Sequence, residues 1–254
     1  MKAQKYRFFV YPHSARPNLF WDGIIPSWEG TSATLVTAPG HVDVLRAYGY
    51  KHDIHVCGWA YTPIKKFRPT SKPRTVLFAP IHPNKTNLLS DQYKKINLAT
   101  FEKLLKLQRK NEISLTVRHI RDLHANGLPQ HLAGIRYIEG DTNLATNEIE
   151  SHDVIVASQT FAFLSVALGR PTIMMGEDET PHNQKKLGDV KLVSNWSKYK
   201  SLIIYPLDIL SFDDTLRLIH TASADDDMIG PWKERMIGKP FNPSCVVTAV
   251  QSYL

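Results

Sequence analysis

Residues 151–160, Ser-His-Asp-Val-Ile-Val-Ala-Ser-Gln-Thr, and residues 167–174, Ala-Leu-Gly-Arg-Pro-Thr-Ile-Met, decide how this chain is read. Val154 to Ala157 is a short unbroken apolar run, the signature of a strand buried on both faces. Ser158-Gln159-Thr160 then opens a helix. Free N–H groups at a helix start, flanked by two hydroxyls, suit a phosphate; plain capping by Ser158 would satisfy the same donors. Phe161 to Leu168 continues the helix, Gly169 and Pro171 stop it, and Thr172 to Met175 is the next strand.

The same alternation extends in both directions. Thr75 to Ala79 reads as a buried strand stopped by Pro80 and Pro83. Asn97 to Lys110 places Leu98, Phe101, Leu104, Leu105 and Leu107 at helical spacing. Ile113 to Val117, Ile135 to Ile138 and Leu202 to Tyr205 are further strands. Strands alternating with helices predict an α/β chain with a Rossmann-like, doubly wound parallel sheet, whose ligands sit in the loops after Ala79, Val117, Ile138 and Ala157. Upstream, Tyr6 to Tyr11, Thr34 to Thr37 and Ile54 to Val56 are strands and Val42 to Tyr48 is a helix, forming a smaller α/β unit. Thr62 to Arg74, with prolines at 63, 69 and 73, reads as an extended linker. The expected division is 1–74 and 75–254. Near the end, Ser211 caps a helix through His220, Asp225 to Asp227 with Gly230-Pro231 is a solvated turn, and Asn242-Pro243 opens a last helix.

With 254 residues the chain can bury a full core, and no window approaches the ~18 apolar residues of a membrane helix. The apolar run Phe8 to Tyr11 is too short for a signal peptide, so a cytoplasmic protein is expected. The only cysteines, Cys57 and Cys245, are far apart and read as separate packing residues in a reducing cytosol. A net charge of +7 favours an anionic partner. Part of it is concentrated in the linker, at Lys65, Lys66, Arg68, Lys72 and Arg74, and part from Lys185 to Lys200. Solvated loop charges are the ordinary alternative for both clusters.

Candidate ligands for a diphosphate are Ser158, Gln159 and Thr160 with His82, Arg118 and His119, all just past strand ends, and Arg121 nearby. His13, after the first strand, is the candidate general base, because histidine titrates near ~6.5. His52 and His55 would point to opposite faces of a strand, which argues against a metal pair there. No Walker lysine, G-x-G-x-x-G or G-x-S-x-G occurs.

Residues 151–160 and 167–174, with Val76 to Asn84 and Leu115 to Asp122 as earlier strands, resemble the C-terminal portion of GT-B glycosyltransferases. The likeness is strongest to the CDP-glycerol glycerophosphotransferase and nucleotide-sugar transferase or epimerase group. It implies that the hydroxyls after the strand hold donor phosphates and that His13 stands where those transferases carry a catalytic His-Gly. Ser165 occupies the place where the family has an acid gripping ribose or substrate. The N-terminal part reads as a shortened acceptor domain, which a homodimer or partner chain would complete. The resemblance implies transfer of a sugar or related group from a nucleotide diphosphate, most simply a UDP-sugar, to a hydroxyl, with no metal or cofactor. DNA and other polyanions are candidate acceptors. The alternatives are a nucleotide-sugar epimerase, and a non-catalytic subunit binding nucleotide or nucleic acid.

Overall fold

The computed structural model describes residues 9–10, 32–47, 50–81, 90–119, 123–129, 131–140, 145–175, 202–205, 215–217, 219–220 and 229–253. Its elements run β1 (Phe9–Val10), β2 (Ala33–Val36), α1 (Pro39–Ala47), β3 (Asp53–Val56), β4 (Thr75–Phe78), α2 (Ser90–Arg109), β5 (Ser114–His119) and β6 (Arg136–Glu139). They continue as α3 (Ala145–Glu150), β7 (Val154–Ala157), α4 (Gln159–Ala167), β8 (Thr172–Met175), β9 (Leu202–Tyr205), α5 (Ile229–Met236) and α6 (Pro243–Gln251).

All the described strands are parallel, in a large sheet of order β6-β5-β4-β7-β8-β9 and a small one of order β1-β2-β3. The large sheet reverses its winding at β4, the doubly wound pattern that opens a crevice at the carboxyl ends of β4 and its neighbours. Alternation along the strands splits the interior in two. Leu77, Ala79, Ile155 and Ala157 face a core with Phe163, Val166 and Trp59. Val76, Phe78, Leu115, Val117, Val154 and Val156 face a second core with Phe101, Leu104 and Leu107 of α2. Burial on both faces is why these strands read as continuous apolar runs.

Several sequence expectations are corrected. Helix α2 begins at Ser90, ahead of Asn97, and buries Tyr93 and Ile96, while Leu98 lies on its exposed side. The buried Asn97 disguises the pattern: its amide accepts from Ile81 N at 2.8 Å and donates to the Ile81 and Asn126 carbonyls. Gly230 and Pro231 lie within α5, because a proline in the first helical turn removes an N–H that has no intrahelical partner. The linker forms neither helix nor strand and is docked, with Lys65 N bonded to Ala167 O and Arg68 N to Gly169 O. Gly169 has φ +77°, and a Cβ there would collide with the Lys66 carbonyl.

The largest correction concerns the chain end. Helix α6, capped by Asn242 accepting from Ser244 N at 3.0 Å, docks on β3 of the small sheet. A disulfide joins Cys57 and Cys245, whose Cα atoms are 5.3 Å apart, so they are not separate packing residues. A sequence separation of 188 conceals the partnership, which only the return of the chain creates. The bond also removes the support that unpaired cysteines lent to a cytosolic location. No described helix is long and apolar enough to cross a membrane.

Candidate functional site

Ser158 closes β7 with extended backbone (φ −130°, ψ 175°) and stands at the N-cap of α4, yet its hydroxyl makes no capping hydrogen bond. Ser158 is buried. Capping by the Ser158 hydroxyl therefore does not consume the first-turn N–H groups of α4, a helix that starts at the carboxyl end of β7. Gln159 and Thr160 are the first residues of the helix; their side chains lie outside the described residues.

From β5, Arg118 shares a face with Thr116 and reaches the same helix. Its guanidinium carbon lies 4.8 Å from the ring centroid of Phe161, the third residue of α4. Its Nε donates to Glu148 on α3, and the two side chains are only 4% and 8% exposed. Gly140 makes room for this arginine, since a Cβ there would strike the guanidinium. Glu148 went unnoticed in the sequence because it sits in a polar helix with no motif around it. Nearby, His152 bonds Thr116 Oγ1 at 2.9 Å and the Glu148 carbonyl at 2.7 Å. Burial pushes its pKa below the ordinary histidine value against the opposing pull of that carbonyl bond.

The other expected ligands do not all converge here. His119 follows Arg118 on the strand and so faces the other side, where its ring lies 6.0 Å from His131 in a stack with Tyr137. Ser165 is fully buried, donating to Ala162 O and bonding Thr172 Oγ1 at 2.6 Å, so it faces β8. His52 precedes β3 and His55 lies on it. Among the described residues no group of three His, Cys, Asp or Glu side chains is placed to hold a metal. His13, His82, Arg121, the 185–200 lysines and Asp225 to Asp227 lie outside the described residues.

The basic linker stands at the opposite edge of the sheet. Arg74 N and Thr75 N donate to Asp153 Oδ2, each at 2.9 Å, where β4 and β7 begin. Burial raises the Asp153 carboxyl, but these bonds, the Thr75 hydroxyl and Arg170 outweigh it and hold the group below its usual range. Lys65 is ion-paired with Glu150, whereas Lys66, Arg68, Lys72 and Arg74 are exposed. These cations therefore lie a strand length from Ser158, not beside the cleft.

No protein-family model matches the sequence, and no curated protein matches it significantly. Solved structures do match the fold. MurG from Acinetobacter baumannii has a TM-score of 0.50 at 12% identity, over 97% of this chain and 68% of its own. Sucrose-phosphate synthase from Thermosynechococcus elongatus has a TM-score of 0.50 at 11% identity, over 98% and 67%. The glycosyltransferase of kitacinnamycin gives 0.50 at 13% identity, over 87% and 55%. The chain thus spans about half to two thirds of the length of these structures. Its fold is that of the GT-B glycosyltransferases.

Proposed function

We propose that this GT-B fold acts as a glycosyltransferase, moving a sugar or related group from a nucleoside diphosphate, most simply UDP, to a hydroxyl. The observation that carries the reading is the start of α4, where Ser158 leaves the first-turn N–H groups uncapped beside the buried Arg118 guanidinium. Donors at a helix start, with a cation near them, stabilise the negative charge that grows on a departing diphosphate. Glu148 orients Arg118, and Phe161 supports its plane. Thr160, Gln159 and His82 are further proposed phosphate contacts, and His13 the proposed base that takes the acceptor's proton. An epimerase is disfavoured because Ser165, at the place of the family's acid, is turned into the core. A non-catalytic binding subunit is the second reading, favoured by the exposed cations Lys66, Arg68, Lys72 and Arg74 of the linker.

Calorimetry with UDP tests the site directly. Replacing Ser158 and Thr160 by Ala should weaken binding by about 1–3 kcal/mol, the value of hydrogen bonds to a charged group. Unchanged affinity excludes this placement. In the same preparation, His13→Ala should lower turnover roughly 10²–10⁴-fold and leave UDP affinity intact; full activity removes His13 from the mechanism.

A further inference from the structure

Helix α6 rests on the small sheet through a short set of described contacts, and the disulfide is at their centre. The apolar contact beneath the helix consists of Leu35, Val246 and Ala249 with the two cysteines themselves. Ahead of it Asn242 N donates to Cys57 O at 2.8 Å, and after it the Tyr253 hydroxyl donates to Asp53 Oδ2. The two sulfurs are placed unequally. Cys57 is only 1% exposed, whereas Cys245 is half-buried in the first turn of α6, with Ser244, Val247 and Thr248 around it exposed. An incoming thiolate attacks the sulfur it can reach, and exposed disulfides are the ones that exchange readily.

His55 is a second, independent sign. It pairs in register with Leu35 and precedes Cys57 by two residues, along a backbone that keeps its pairing through Cys57 N to Val36 O at 2.8 Å. His55 therefore faces α6 on the same side as Leu35 and Cys57. Its Nε2 is buried and has no hydrogen-bond partner, an arrangement that destabilises the oxidised chain. A disulfide sulfur has no hydrogen to offer that nitrogen, but a Cys57 thiol does. We infer that Cys57–Cys245 is a redox-sensitive latch on α6, opened by a dithiol that exchanges at Cys245. One thiolate of the dithiol bonds to Cys245 Sγ while the Cys57–Cys245 bond breaks. The electron pair leaves on Cys57 Sγ, which takes a proton and hydrogen-bonds to His55 Nε2. The second sulfur of the dithiol then displaces Cys245, so the dithiol departs as a disulfide and its two protons end on the two protein thiols. With the bond gone, Leu35, Val246, Ala249 and the two end contacts do not hold α6 down, and the helix lifts from the small sheet.

Thiol exchange on the full oxidised chain, without denaturant, is the test. After brief exposure to glutathione and quenching with iodoacetamide, peptide mapping should find glutathione on Cys245 and the alkyl group on Cys57. With dithiothreitol, the reduction rate should be proportional to thiol concentration, as direct attack on the folded chain requires. The reduced chain should exchange its α6 and β3 amides faster while β4, β5 and β7 stay slow, and reoxidation should restore the protection. His55→Leu should raise the ratio of reduced to oxidised dithiothreitol at half reduction about 5-fold or more, because the thiol loses its buried partner. His55→Phe should shift it the same way if His55→Leu does not fold. Glutathione found on Cys57, a rate independent of thiol concentration, α6 protection unaltered by reduction, or His55 variants half-reduced at the wild-type ratio would each overturn the inference.

Discussion

The two sheets of this molecule solve the problem of burial differently. The large sheet buries strands on both faces, with an α4-side core around Phe163 and an α2-side core around Phe101. The described part of the small sheet has far less to bury. One face meets α1 through Val36, Leu45 and Tyr50, the other meets α6 through Leu35, Cys57 and Ala249. Hydrophobic stabilisation scales with apolar area removed from water, so among the described residues the small sheet draws less from it. A covalent bond between segments 188 residues apart closes it. Constraining the unfolded chain adds there to what packing supplies.

The contrast breaks most visibly in the large core. Phe163 is fully buried, and Phe163→Ala should cost about 3–5 kcal/mol in urea unfolding. A loss no greater than that of Leu35→Ala, in the thinner core, would erase the distinction. Next in size is the disulfide: Cys245→Ser should cost about 2–4 kcal/mol. Amide exchange should rise in α6, β2 and β3 and remain slow in β4, β5 and β7. Uniform loosening would mean that the two sheets unfold as one unit. The smallest effect sharpens the picture at His152. Burial lowers its folded pKa, so the unfolded chain binds the proton more readily. The stability it contributes is complete above pH ~6.5 and falls as pH drops from there toward the folded value. His152→Asn should flatten that limb of the stability profile, with no change expected above neutrality.

Much of the large sheet was legible along the chain because its signals are local. Val154 to Ala157 and Thr172 to Met175 form the expected strands, and Pro243 opens the last helix. Each depends on apolar period, a proline or a cap, all within a few residues. Of the site, Ser158 and Arg118 were visible as polar residues at strand ends, but Glu148 was not, since a lone acid in a helix has no pattern until a partner faces it. The opposite facing of Arg118 and His119 required knowing that β5 runs on past Val117 through His119, and the turn of Ser165 into the core required β8 beside α4. The sequence by itself determined the alternation of elements, the buried strands and the excess of positive charge. Only the tertiary structure decided that the linker's cations lie at the amino edge, that α6 returns to the small sheet, and that Cys57 meets Cys245. Those are relations between segments far apart in the chain, and their positions are set by how the whole chain closes on its cores, which no local pattern encodes.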